Sequence, residues 1–300
     1  ASDVYKRQAV GAGFFSQRMN QLTCNARYMD EVERVLYNNV LTGVSLSGDK
    51  YTYQNPLNTD KPDRWEWHVC PCCPPMFLKI MAAMPGYIYA YQGDNVYVNL
   101  FIGSEVRIPV GDNSVRLKQL TSYPWHGAVS IQVNPDKAST FSMKVRIPGW
   151  AQGTENPYDL YQSNLKAPVK LKVNQEDVLL RIVDGYAEIN REWKKGDHIE
   201  LELPMQPRLI TANKAVENLR GQVALASGPI IYCFEDADNP ELQTFKLQAQ
   251  TPLELSHDSN LLNGVNIIKC QGDIPAKAIP YYAVANREES HSYKVWIPQK

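Results

Sequence analysis

The apolar spacing of this chain changes period once, near Gly86, and that change confines it to a helical part followed by a sheet-rich part. Before Gly86, the residues Val10, Phe14, Phe15, Arg18, Met19 and Leu22 form one stripe at helical spacing. Tyr28, Val32, Val35, Leu36 and Val40 form a second. Asn25 stands where an N-cap is wanted for the second helix, and Gly43 where a stop is wanted. Val44 to Tyr53 reads as a hairpin turning at Ser47-Gly48-Asp49, followed by a polar loop through Asp60, Lys61, Pro62 and Asp63. Pro74-Pro75 then opens a third helix, with Met76, Phe77, Ile80, Met81 and Met84 on one broad face, and Pro85-Gly86 ends it.

After Gly86 the apolar residues alternate. Val96 to Ile102, Val115 to Leu120, Val129 to Val133, Met143 to Ile147, Tyr186 to Ile189, His198 to Leu203, Val223 to Ala226 and Ile230 to Phe234 read as short strands between Gly, Pro, Asn and Asp turns. That pattern predicts antiparallel β-sandwiches, with a seam near Thr211-Ala212-Asn213 where a charged connector begins. The fold class is thus α+β and multidomain: a helical unit at 9–86, β-sandwich domain I at 87–212 and β-sandwich domain II at 213–300.

Charge excludes some partners. The 300 residues carry 31 basic and 32 acidic side chains, a net charge of -1 spread along the chain, so nucleic acid and anionic membrane surfaces are not expected partners. No run approaches the roughly 18 apolar residues that span a bilayer.

Three of the six cysteines fall together in Cys70-Pro71-Cys72-Cys73, directly before the Pro-Pro helix start. Free backbone N–H groups and the positive end of the helix dipole favour the thiolate there, and the thiolate is both the better nucleophile and the metal-binding form. Soft sulfur donors favour zinc, but a tetrahedral site takes two further ligands, and no second metal-spaced cysteine pair occurs. A buried structural role for the cluster is equally consistent with its spacing. Cys24, Cys233 and Cys270 stand alone in apolar or turn contexts and read as core thiols.

Cys72-Cys73-Pro74-Pro75, followed by a helix and Pro85-Gly86-Tyr87-Ile88-Tyr89, resembles the CCPPN motif and downstream strand of the β-L-arabinofuranosidases of glycoside hydrolase family 127 and the related family 146. The likeness continues through Arg18-Met19, Ala26-Arg27-Tyr28, Leu36-Tyr37-Asn38, Tyr53-Gln54-Asn55-Pro56-Leu57 and Arg146-Ile147-Pro148-Gly149-Trp150. It extends to Arg191-Glu192-Trp193, Gly221-Gln222-Val223 and Pro280-Tyr281-Tyr282-Ala283, and so covers residues 9 to 300. The resemblance implies the last helices of an (α/α)6 barrel followed by two β-sandwich domains. It further implies a retaining glycosidase in which a zinc-bound cysteine replaces the usual carboxylate nucleophile. By motif position Cys72 would be nucleophile and zinc ligand, and Cys73 a second ligand of Zn2+. The family asparagine after Pro-Pro is Met76 here.

The family's Glu-x-Cys motif, which supplies the other zinc ligands, aligns with Tyr5 and Arg7, and its acid/base glutamate lies farther upstream. Ser2 to Gln8 resembles a translated sequencing adapter, so residues 1–8 are set aside and the chain is expected to be a carboxy-terminal fragment, inactive alone. Tyr53 and Asn55 match the family and are candidates to line a sugar pocket; Trp65 and Trp67 could stack on a sugar ring and His68 could reach a metal. Glu31 and Glu33 are expected to face solvent or neighbouring helices, and neither they nor Glu66 is a clear acid. The implied partner is a plant-derived glycan or glycoside, with homo-oligomerisation left open, and bacterial cytoplasm or periplasm are the compartments considered. The competing reading is a non-catalytic carbohydrate-binding or structural module whose thiols hold a structural metal.

Overall fold

The computed structural model describes residues 6–66, 69, 71–272 and 274–300, with all of their side chains except those of residues 6, 7 and 157. Three helices dominate the first part: α1 (Lys6–Thr23), α2 (Arg27–Val35) and α3 (Cys73–Ala83). The start of α1 lies inside the segment that the sequence reading sets aside. The N-cap of α2 is Ala26, one residue beyond the expected Asn25, whose Oδ1 accepts a hydrogen bond from Arg27 N at 3.1 Å. The helical path then widens into a π-turn at Leu36–Val40, tightens at Leu41–Gly43 and stops at Gly43 as expected.

Val10, Met29, Val32, Leu36, Val40, Ile80 and Met84 close the helical core, together with Leu100 from the β part. The stripe on α1 does not bury evenly. Phe15 is 63% exposed and Leu22 79%, because the described helices cover only one side of α1.

The hairpin expected at Val44 to Tyr53 is not a ladder. A single bridge joins Val44 to Tyr51, and Tyr51 also bridges to Trp65. Ser45 N still donates to Lys50 O at 2.8 Å, but the return bond goes to a side chain, Lys50 N donating to Ser45 Oγ at 3.0 Å.

The first β unit is a sandwich. One sheet runs Glu176–Asp177, Lys170–Val173, Asp197–Glu202, Ala128–Pro135, Asn113–Thr121, Ser104–Val110; the facing sheet runs Ile182–Val183, Tyr186–Trp193, Ser139–Arg146, Asn95–Val98, Tyr89–Gln92. Strict alternation buries Val115 and Leu117 on one strand and Val129, Ile131 and Val133 on its neighbour, against Val96, Val98, Met143 and Val145 from the other sheet. Two expectations need correction. The strand beginning near Val96 ends at Val98, because Asn99 N and Leu100 N turn back onto Ile88 O, and it pairs with Ser139–Arg146 in parallel, not antiparallel, register.

The second β unit is not two stacked sheets. Ten strands hydrogen-bond into one curled network whose main path runs Leu253–Asp258, Val265–Cys270, Ala276–Pro280, Ile230–Glu235, Gln222–Ser227, Arg208–Ala212, Tyr161–Ser163. Both faces are apolar, with Leu225, Tyr232 and Phe234 in one core and Ala224, Cys233 and Ile279 in the other. The expected seam at Thr211–Asn213 follows a strand that pairs with Gln222–Ser227, so hydrogen bonding assigns Arg208–Ala212 to the second unit.

The parts are joined by buried charge. Arg146 is completely buried on its strand, donating to Asp30 Oδ1 at 2.6 Å, to both oxygens of Glu33 and to Asn99 O. Tyr123 Oη donates to Glu33 Oε1 at 2.8 Å, and Gly149 N to Asp30 Oδ2 at 3.2 Å. Gly149 has to be glycine here, since a Cβ would lie 2.8 Å from Thr154 O and 3.0 Å from Asp30 Oδ2. Glu33 is therefore not a solvent-facing carboxylate: at 2% exposure it is the centre of the helix–sandwich junction. A second pair, Arg208 with Glu155 at 2.6 and 2.9 Å, joins the sandwich to the curled sheet.

Removing one partner of such a network strands the other, which costs more than the pair contributes. Glu33→Ala should lower unfolding free energy by about 3–5 kcal/mol in urea titrations; a loss below 1 kcal/mol would show that Arg146 does not depend on it. Burial raises the Asp30 carboxyl from 3.8 to about 6, with Glu33 adding to the rise and Arg146 opposing it. Between pH 4 and 6 the folded state then holds more protons than the unfolded one, so the Asp30 contribution to stability falls as pH rises through that window. Wild type should lose roughly 2–3 kcal/mol relative to Asp30→Asn between pH 4 and 7, and parallel pH profiles for the two proteins would contradict this.

Candidate active site at the cysteine helix start

Cys72 immediately precedes α3, whose first turn contains Pro74 and Pro75. Proline costs nothing at that position, where the backbone N–H lacks an intrahelical partner in any case, and its fixed φ starts the turn. Cys73 is buried, whereas Cys72 is half-buried at the edge of a small aromatic cluster of Tyr51, Tyr53 and Trp65. The ring centroids lie 5.7 Å apart for Tyr51–Tyr53 and 5.3 Å for Tyr53–Trp65. Tyr53 Oη accepts a hydrogen bond from Cys72 N at 3.3 Å and so ties the aromatic wall to the helix start. Burial, with the neighbouring Cys72 thiol, pushes the Tyr53 phenol up to about 12, and it remains protonated at neutral pH.

Of the residues singled out from sequence, Cys72, Cys73, Tyr53 and Trp65 come together. Trp65 Nε1 donates to Asp63 Oδ2, which fixes the indole. Asn55 is buried a short way along the same segment. It shares with Tyr53 and Trp65 a cavity of about 360 Å3, whose far wall is Val284, Ala285 and Tyr293. Trp67, His68 and Cys70 lie outside the described residues, as does Tyr5, and the side chain of Arg7 is not described either. Tyr51 was not singled out from sequence, although its spacing of two from Tyr53 is the signal that puts both rings on one side.

Asp63 lines the same cavity and accepts from Trp65 Nε1, whereas the glutamates near the site in sequence have other neighbours. Glu31 pairs with Arg34 at 2.7 Å, Glu33 with Arg146, and Glu66, exposed, sits 3.6 Å from Lys50. Among the described residues no group of three or more His, Cys, Asp or Glu side chains could hold a metal ion. Cys72 and Cys73 offer two sulfur donors, half of a tetrahedral zinc site. Cys24, Cys233 and Cys270 are free thiols. Burial pushes Cys270 up to about 12 and holds Cys233 well above the usual thiol range, so both are inert core groups, while Cys24 donates to Gln92 Oε1 at 3.4 Å.

Solved structures that this chain resembles include glycoside hydrolases. One solved glycoside hydrolase superposes with a TM-score of 0.86 at 30% identity, covering 99% of this chain and 52% of that one. Three domain families match in order: the GH127 β-L-arabinofuranosidase catalytic domain at residues 8–86, the GH127 middle domain at 95–205 and the family 127 C-terminal domain at 207–298. The chain belongs to glycoside hydrolase family 127.

A family 127 β-arabinofuranosidase structure matches with a TM-score of 0.93 at 34% identity, over 99% of this chain and 50% of that one. The family 127 β-L-arabinofuranosidase of Geobacillus stearothermophilus T6 matches at 0.88 and 33%, over 97% and 49%. A non-reducing end β-L-arabinofuranosidase of Bifidobacterium longum subsp. longum is 29% identical over 93% of this chain and 47% of its own length. The chain thus spans about half the length of these relatives.

Thiol accessibility follows from the geometry. Under native conditions iodoacetamide should modify Cys72 well before Cys73, Cys233 or Cys270, read by peptide mass spectrometry. Labelling of Cys233 or Cys270 at the rate of Cys72 would contradict the burial described.

Proposed function

We propose that this chain is the carboxy-terminal part of a retaining glycosidase that hydrolyses β-L-arabinofuranosides of plant-derived glycans, with Cys72 as its nucleophile. The observation that carries the reading is the position of Cys72. It is a half-buried thiol at a helix start, with its backbone held by Tyr53 and the Cys-Cys-Pro-Pro part of the motif present in a family 127 chain. In the first step the Cys72 thiolate attacks the anomeric carbon; the glycosidic C–O bond breaks as a thioglycoside forms, and an acid protonates the departing oxygen. In the second, that same group, now a base, takes a proton from water, the water oxygen attacks the anomeric carbon and the C–S bond breaks, releasing the sugar and the thiolate.

By the family resemblance the acid lies in sequence outside this chain, and Glu33, held by Arg146, does not replace it, so the chain alone would be inactive. Zn2+ would be held by Cys72 and Cys73 with two ligands from outside the described residues, and it would favour the thiolate form. The helices α1 to α3 would be the last of an (α/α)6 barrel. Support for that is the apolar surface left at Phe15, Leu22 and Leu78 and the half-length coverage of the relatives. Tyr53, Asn55, Trp65, Trp67 and His68 would line the sugar side of the site.

The test is hydrolysis of p-nitrophenyl β-L-arabinofuranoside. A longer protein containing these residues should turn it over with zinc bound, Cys72→Ser should reduce kcat at least 1000-fold, and the present chain alone should give no turnover. Retained activity in Cys72→Ser would remove the cysteine from the chemistry. Stoichiometric zinc without turnover in the longer protein would favour a binding module instead.

A further inference from the structure

Where α2, the segment after Thr52 and the curled sheet meet, the fold leaves a cavity of about 300 Å3 away from the thiols. Its walls are largely apolar, from Val35, Leu57, Ile210, Ile231 and Val295, with the amides of Asn38, Asn39 and Asn55 among them, that of Asn38 already bonded to Arg34 O, Pro229 O and Ile231 N. One side is formed by the π-turn Leu36–Val40, a helix distortion that recurs at functional sites. Tyr161 and Trp296 stand at another side with their rings 5.8 Å apart.

The charges at the rim are already neutralised. Arg34 pairs with Glu31 at 2.7 Å, and Glu155 chelates Arg208 at 2.6 and 2.9 Å. A charged ligand would find no counter-charge there. Trp296 Nε1, on a side chain 94% buried by its 6% residual exposure, has no acceptor among the described residues. An indole N–H donates and cannot accept, and leaving it unmade in an apolar site costs free energy that a ligand oxygen would restore.

We propose that this cavity is a binding site for an uncharged, largely apolar molecule of about one ring that presents a single acceptor oxygen to Trp296, the chemistry of an aryl ether. The volume admits one six-membered ring with a short substituent. The neutral rim excludes acids and amines. Because residues from α2, the sandwich and the curled sheet all line the cavity, an occupant bridges three parts of the fold and stabilises the folded state by mass action.

The experiment uses this chain with anisole and toluene, two molecules of nearly equal shape of which only anisole carries an acceptor oxygen. Ligand-observed NMR titration should show anisole binding about five-fold tighter than toluene, the value of one neutral hydrogen bond. Trp296→Phe keeps the aromatic wall and deletes the donor; it should equalise the two ligands while leaving toluene affinity unchanged. Ala224→Leu, which fills the cavity from the sheet side, should abolish both. Equal affinities in wild type, persistence of the preference in Trp296→Phe, or no binding of either ligand to a folded wild-type chain would each overturn the proposal.

Discussion

A guanidinium with no exposed surface can exist in a protein only if its charge and its donors are answered on every side, and Arg146 is such a group. Burial works against its charge, yet Glu33 and Asp30 together hold its pKa above the ordinary value. The two carboxylates come from one helix at a spacing of three, which puts them on the same face one turn apart. That arrangement fixes the rotation of α2 about its axis as well as its height over the sandwich. Asn99 O and the cramped turn at Gly149 close the remaining sides. Hydrophobic packing alone would tolerate a small slide of α2; a shared carboxylate pair does not.

Much else follows from a fixed α2. Its continuation carries Asn38 to the curled sheet, where Asn38 Nδ2 donates to Pro229 O at 2.8 Å and Oδ1 accepts from Ile231 N at 2.7 Å. Ile80 of α3 and Val10 of α1 pack into the same core as Val32 and Leu36, so the start of α3, and with it Cys72, takes its position from α2. The thiol site is in this sense built on a salt bridge in which it takes no part.

How much of this was legible depends on how local the cause is. The period of 3.6 before Gly86 and of 2 after it located the helices and the central strands, because those strands have one face in a core and the other outside. Ser104–Val110 and Leu253–Asp258 escaped: they lie at sheet edges, where burial is partial and charged residues interrupt the alternation. Val265–Cys270 escaped for the opposite reason, being buried on both faces and so without a period. Glu33 looked like a surface carboxylate because its partner Arg146 is 113 residues away, and no local pattern announces such a pair. At the site, the Pro-Pro start made the thiols legible as a chemical feature, while choosing Cys72 over its neighbours rested on the family motif.

The aromatic wall of the thiol site is held from the opposite end of the molecule. Pro56 O accepts hydrogen bonds from both Tyr281 Oη and Tyr293 Oη, at 3.0 and 2.8 Å, and Asn58 Oδ1 accepts from Val295 N and Trp296 N. Arg64 closes the other side of the same segment, donating to Val284 O at 2.8 Å and to Thr42 O at 3.1 Å. Burial lowers its pKa only to about 10, so it is a cation at neutral pH, and its described hydrogen bonds go to backbone carbonyls, which accept in any protonation state. The segment between Thr42 and Trp65 is thus pinned to the curled sheet at several points while its aromatic residues touch Cys72. The carboxy-terminal unit therefore sets where Tyr53 stands relative to Cys72. Separating that unit from the helices would take away the wall of the site and leave Cys72 in place.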